Sequence, residues 1–330
     1  MKIYDVTLRD GNHALRHSLD PVFVAKYCEL ASKSNSWAVE IGHGNGLGAS
    51  SFLVGKSKFS DQYLLESARS KLTNTLLAVH AIPGFATIND DIKPAIEIGV
   101  DLFRIATHVT EASVAEKHIE FLANRDVEVH GVLMMSHMTD LDDLVKQANL
   151  MTKYGASAVI LMDSAGFFTP DQVDLRIKRI NDELGITIGF HAHNNLGMGV
   201  ANALTAVQTG AEIIDGASMG LGAGAGNAQL ELIVANMNRQ LKYDHYNLNE
   251  FFDLSELVES NLNQWLPRTT SSSIQSGFNG VFSGYSPHVN QISSETGISK
   301  NKLWKEIAKR KLVAGQESMI REIANDLMNL

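Results

Sequence analysis

The sequence predicts an α/β fold, a (β/α)8 TIM barrel with a C-terminal helical domain, on three observations. Short apolar runs rich in β-branched residues alternate with longer stretches of helical periodicity. About eight such runs occur, the number that closes a parallel barrel. Past about residue 245 the alternation stops and helical stripes alone remain. A chain of 330 residues with 44% hydrophobic content can bury a core of that size.

The strands read, in order, Ile3–Thr7, Ala38–Ile41, Thr75–Val79, Leu102–Ala106, Val127–Met134, Ala158–Met162, Thr187–His191 and Glu212–Asp215. Between them lie helical stripes such as Val22, Ala25 and Leu30, and Leu141, Leu144, Ala148 and Met151. A doubly wound sheet is the main rival, but it needs a Gly-rich turn after the first strand, and Arg9-Asp10-Gly11-Asn12 is not one. The Gly-rich run 220–227 after the eighth strand has two readings. It cradles an anion on backbone N–H groups, turns tightly into a helix over Leu230–Met237, or does both. The division expected is a barrel over residues 1–244 and a helical unit over 245–330. The latter carries a stripe of Leu254, Leu257, Val258 and Leu262, a Ser/Thr/Gly stretch from Thr269 to Ser286, and amphipathic helices around Leu303–Leu312 and Ile320–Leu327.

The net charge of −9 is spread without long runs, so neither a phosphate backbone nor an anionic membrane surface is an expected partner. Strand-like residues follow Met1 almost at once, and no apolar stretch approaches the ~18 residues of a spanning helix. Cys28, the one cysteine, sits in an apolar helical run, as a packed and inert thiol does. A cytoplasmic protein is expected.

Polar residues cluster just after the strands: Arg9, Asp10 and His13; His43; His80; His108; Ser136 and His137; Asp163 and Ser164; His193; Asp215. In a barrel these positions share the rim where active sites are built. His43, His80, His108, His130 and His137 can each be accounted for by a hydrogen bond to a backbone carbonyl. His191 and His193 are different. Two residues apart on a strand, they point the same way, and with the Asp10 carboxylate they make a facial metal site with open positions. No thiolate is present to select zinc, so Mn²⁺ or Mg²⁺ is favoured, with Co²⁺ and Zn²⁺ compatible. Such an ion is a Lewis acid for a 2-oxo acid. Arg9 is placed to hold an enolate oxygen, and His13 to take the proton of a hydroxyl on the carbon that becomes an aldehyde. That is retro-aldol chemistry without a lysine imine. Ser164 either contacts the substrate carboxylate or caps the helix beginning near Pro170.

Three stretches together, Asp5-Val6-Thr7-Leu8-Arg9-Asp10-Gly11-Asn12-His13-Ala14, His191-Ala192-His193-Asn194-Asn195 and Gly220-Leu221-Gly222-Ala223-Gly224-Ala225-Gly226-Asn227, resemble the 4-hydroxy-2-oxovalerate aldolases. These belong to the metal-dependent barrel superfamily that includes hydroxymethylglutaryl-CoA lyase. The resemblance runs the length of the chain, into the tail at Val313-Ala314-Gly315-Gln316-Glu317. It implies cleavage of 4-hydroxy-2-oxopentanoate or a short homologue to pyruvate and an aldehyde. Asp10, His191 and His193 match the metal ligands, Asn227 a fourth, Arg9 the enolate-stabilising arginine and His13 the base. It also implies an oligomer in which the tail meets an acylating aldehyde dehydrogenase and passes the aldehyde on. Two positions depart from the family pattern. Phe282 stands where a tyrosine hydroxyl is expected, with Tyr285 the nearby substitute, and Ala314 stands in place of a channel glycine. Two other readings compete: a Claisen-type acyl-CoA lyase or synthase on the same metal, and a non-catalytic scaffold for a dehydrogenase. No basic patch for CoA phosphates supports the first, and the intact Arg9, Asp10, His13, His191 and His193 oppose the second.

Overall fold

The computed structural model describes residues 1–243, 245–313 and 316–329. Eight parallel strands close a barrel in chain order: β1 (Lys2–Asp5), β2 (Ala38–Glu40), β3 (Leu76–Ala81), β4 (Leu102–His108), β5 (Glu128–Met134), β6 (Ala158–Asp163), β7 (Thr187–Ala192) and β8 (Ile213–Gly216). Closure is made by β1 against β8, in register from Lys2 with Ile213 to Asp5 with Gly216. All eight expected strands are present, with ends moved by a few residues. The first stops at Asp5 rather than Thr7 because the Asp5 carboxylate accepts both the Thr7 N–H, at 2.9 Å, and the Thr7 hydroxyl, at 2.5 Å. That turn directs the chain over the rim.

Helices α1 (Gly11–Ala14) and α2 (Pro21–Ala31) follow β1, and α3 (Asp61–Arg69) follows β2. The outer ring continues with α4 (Lys93–Ile98), α5 (Glu116–Ala123), α6 (Leu141–Lys153), α7 (Pro170–Leu184), α8 (Gly199–Thr209) and α9 (Leu230–Gln240). Strand parity divides the core in two. Tyr4, Ala78, Leu102, Ala106, Ile160 and Ile213 fill the barrel interior. Their neighbours Ile3, Leu77, Phe103, Leu161 and Ile214 pack outward against the helices.

After the barrel come α10 (Leu248–Leu262), α11 (Ser271–Phe278), α12 (Ser286–Thr296), α13 (Lys300–Lys309) and α14 (Met319–Met328). Helix α10 lies against α2 and α9 and shares the outer barrel core through Phe251, Leu254 and Val258. A separate core begins later, formed by Tyr285, Val289, Leu303, Trp304, Ile307 and Ile323. The strand alternation and the packing therefore change at different points, the first near 245 and the second after Leu262. Helix α11 arises inside the Ser/Thr/Gly stretch, where apolar periodicity gives no signal. It is started by a reciprocal cap in which Thr270 and Ser273 each accept the other's N–H, at 2.8 and 3.2 Å. Among the described residues no helix is long and apolar enough to cross a membrane. Ala314 lies outside the described residues.

Candidate metal centre and active site

Asp10 and the two imidazoles of β7's end meet. Ligand atoms of Asp10, His191 and His193 lie within 4.8 Å of one another, and all three side chains are buried. His191 Nε2 and His193 Nε2 face each other at 3.3 Å, while the far nitrogen of His191, Nδ1, lies 2.9 Å from Asp215 Oδ2. Burial lowers the His193 pKa to about 4, so this imidazole is neutral and able to donate a lone pair. Burial alone would raise the Asp10 pKa, but the Arg9 guanidinium beside it holds the carboxyl well below its usual range.

The Gly-rich run resolves both of its readings. It feeds α9, and the anion its backbone cradles is the protein's own Asp10, whose Oδ1 accepts the Ala223 N–H at 3.3 Å. Asn227 donates to the same oxygen at 3.0 Å and to the Leu221 carbonyl at 2.9 Å. Its own amide oxygen is buried without a hydrogen-bond partner among the described residues. A buried amide oxygen left unpaired costs ~1–3 kcal/mol, and a cation beside Asp10 would satisfy it. Gly222 permits this arrangement, since a Cβ there would come within 2.2 Å of Asn227 Nδ2 and 2.8 Å of Asp10 Oδ1. One carboxylate oxygen, two imidazole nitrogens and one amide oxygen fit a divalent cation such as Mn²⁺, Mg²⁺, Co²⁺ or Zn²⁺.

Arg9 spreads its guanidinium over two carboxylates, with Nε on Glu40 at 2.6 Å and Nη1 on Asp10 at 2.6 Å and on the Gly44 carbonyl at 3.2 Å. Burial works against its charge, but Glu40 and Asp10 outweigh burial and keep the group protonated. Nη2 is buried and unpaired among the described residues, which leaves one donor of the fork free. His13 stands one short turn beyond, partly exposed, its ring set edge-on to His17 at 5.3 Å between centroids. Burial lowers the His13 pKa, with Asp10 opposing, which favours the neutral imidazole.

Ser164 stays at the rim, its hydroxyl accepting the Met135 N–H at 3.0 Å. The cap of α7 is Thr169, with Gln172 closing the box, so the capping role considered for Ser164 does not hold. Tyr285 is not brought to the site. It is fully buried in the helical unit's core, and its hydroxyl donates to the Val313 carbonyl, which removes it from the substrate-binding role expected of it. Phe282 packs beside it, the two rings 6.1 Å apart. Of His43, His80, His108, His130 and His137, His43 and His137 donate to the carbonyls of Gly55 and Gly280, at 3.0 and 2.9 Å. His108 pairs with the Thr110 hydroxyl, and His130 with Glu128. Among the described residues His80 Nδ1 has no partner within hydrogen-bond reach, and Glu40 is 3.9 Å away. Sequence reasoning missed Glu40 and Arg104, and it missed the tether made by Asn195, which donates to the Ser273 carbonyl at 3.0 Å and to Ser283 at 2.6 Å.

Residues 1–258 match the family described as HMGL-like, and residues 267–329 match the DmpG-like communication domain. A 4-hydroxy-2-oxovalerate aldolase of Spirochaeta aurantia is 46% identical, over 98% of this chain and 95% of that protein. The protein of the same name from Burkholderia pseudomallei (strain K96243) is 48% identical, over 98% of this chain and 93% of its own. Among solved structures, the carboxyl transferase domain from Rhizobium etli pyruvate carboxylase superposes with a TM-score of 0.83 at 17% identity, covering 100% of this chain and 60% of that one. At that identity the likeness speaks for the fold alone.

Proposed function

The chain belongs to the HMGL-like family and, over nearly its whole length, to the 4-hydroxy-2-oxovalerate aldolases, and from that membership we propose that it is a divalent-metal-dependent class II pyruvate aldolase. The substrate is 4-hydroxy-2-oxopentanoate or a short homologue, and the products are pyruvate and an aldehyde. The observation that carries the reading is the convergence of Asp10, His191 and His193 beside the unpaired Nη2 of Arg9.

Asp10, His191, His193 and the Asn227 amide oxygen would hold the ion, with Mn²⁺ the proposed one. When bound, it supplies Lewis acidity towards the 2-oxo acid. His13 takes the proton of the C4 hydroxyl; the electron pair of that O–H bond forms the aldehyde carbonyl while the C3–C4 bond breaks. The pair from the broken bond passes to the C2 oxygen as pyruvate enolate, and Arg9 Nη2 donates to that oxygen. A buried donor aimed at such an oxyanion lowers the barrier by ~2.7–4 kcal/mol. Protonation of the enolate at C3 completes pyruvate. Ser164 is the proposed contact to the substrate carboxylate.

The C-terminal unit, through its communication domain, is proposed to dock an acylating aldehyde dehydrogenase that consumes the aldehyde, within an oligomer. The proposed division keeps catalysis in the barrel and docking in the helical tail. The experiment is pyruvate release from 4-hydroxy-2-oxopentanoate by chelator-treated protein with and without added Mn²⁺. Release that requires the ion is expected, and undiminished release after exhaustive chelation would exclude the reading.

A further inference from the structure

The His191 imidazole ends a chain of buried polar groups that the proposed reaction does not use. Its Nδ1 lies 2.9 Å from Asp215 Oδ2. Asp215 in turn takes both ends of the Arg104 guanidinium fork, Nη1 to Oδ2 at 2.5 Å and Nη2 to Oδ1 at 2.9 Å. Arg104 lies over the Tyr4 ring, 3.2 Å from its centroid, and the Tyr4 hydroxyl donates to Glu40 Oε1 at 2.9 Å. Glu40 then holds Arg9 through its other oxygen. Five strands contribute to this layer, and none of its side chains exceeds a few per cent exposure.

We propose that Asp215 and Arg104 are positioning residues for the metal site: Arg104 fixes the Asp215 carboxylate, and the carboxylate fixes His191 with its proton on Nδ1 and Nε2 turned to the ion. The inference rests on the reading that Asp10, His191 and His193 share one ion. An ionised carboxylate only accepts, so the hydrogen bond at 2.9 Å places the imidazole proton on Nδ1. Nε2 is then the lone-pair nitrogen, and it is the one facing His193. Both Asp215 oxygens are engaged, which keeps this carboxylate out of the ligand set and gives the ring one orientation.

Magnitudes separate this role from a stabilising one. A buried ion pair adds little net stability over well-packed apolar residues, because desolvation offsets the Coulombic gain. A carboxylate on the far nitrogen of a metal-binding imidazole, in contrast, is worth about 10–100-fold in metal affinity. Arg rather than Lys suits the layer, since only the planar fork reaches both oxygens while stacking on Tyr4.

The test titrates Mn²⁺ into chelator-stripped full-length chains and reads free Mn²⁺ by its paramagnetic resonance. Wild type is expected to bind, and Asp215→Asn to bind about 10–100-fold more weakly, because its amide can donate to Nδ1 and move the imidazole proton to Nε2. Arg104→Lys is expected to weaken binding as well, while retaining the buried charge. In both variants the rise in Tm on adding Mn²⁺ shrinks, whatever happens to the Tm of the stripped chain. A lowered stripped-chain Tm with unchanged Mn²⁺ affinity would make the residues merely structural and overturn the inference. Should both variants fail to fold, ¹⁵N shifts of His191 in the wild-type chain decide: a proton on Nδ1 supports the inference and one on Nε2 overturns it. Failure of the wild type to bind Mn²⁺ would sink the metal reading beneath it.

Discussion

In the proposed reaction Arg9 and His13 divide the work at the scale of single residues, one as oxyanion donor and the other as base. Arg9 commits Nε and Nη1 to Glu40 and Asp10 and keeps Nη2. Replacement by Lys loses the fork and is expected to lower kcat by ~10²–10³-fold with Mn²⁺ affinity little changed, measured as pyruvate release at saturating ion. His13→Ala is expected to slow turnover by ~10²–10⁴-fold with the ion still bound. Unchanged turnover would remove His13 from the mechanism. Gly222→Ala places a methyl against Asn227 and Asp10 and should weaken Mn²⁺ binding although no proposed ligand is replaced, which a titration of the ion reads directly. His191 and His193 were legible in the sequence because a spacing of two on one strand is a local rule, and Asp10 because it closely follows the first strand, where a barrel gathers its rim residues. Glu40 and Arg104 were not. Each sits between apolar neighbours, as an exposed strand residue does, and only closure of the barrel turns Arg104 inward with Leu102 and Ala106.

At the scale of elements, the eight strands follow from apolar runs, and their ends from side-chain chemistry that periodicity does not carry. Asp5 ends β1 through Thr7. Thr270 and Ser273 start α11 in a stretch that reads as loop, and Asn195, close to His191 and His193 in sequence, ties that helix to the barrel rim. The resemblance to known aldolases marked the tail as an interface but could not supply this tether, which joins residues 78 apart. Thr270→Ala is expected to cost about 1 kcal/mol, read as a lowered denaturant midpoint, since its hydroxyl accepts the Ser273 N–H at the start of the helix. Unchanged stability would show that the cap is not needed to hold α11.

For the whole molecule, buried imidazoles set the response to acid. Burial lowers the pKa of His17 and His80 to about 3 and of His43 and His137 to about 4, against about 6.5 in the unfolded chain. Below pH 6.5 the unfolded chain therefore takes up protons that the folded chain refuses, and stability falls as the pH drops towards 4. Asp5 and Asp163 act the other way, since burial raises each to about 6 and the folded chain binds their protons first. Four imidazoles with larger shifts outweigh two carboxyls. A Tm that declines from pH 7 to pH 5 is expected, and a flat or rising Tm would show that the imidazoles are not held neutral.

The central claim is that a carboxylate beyond the first strand and two imidazoles from the seventh enclose one divalent ion at the rim of the barrel. Anomalous scattering from crystals grown with Mn²⁺ tests it most directly. The account predicts one strong peak at coordination distance from Asp10, His191 and His193, with the Asn227 amide oxygen turned to it. A peak elsewhere, or none at this cluster in crystals of active protein, would contradict it.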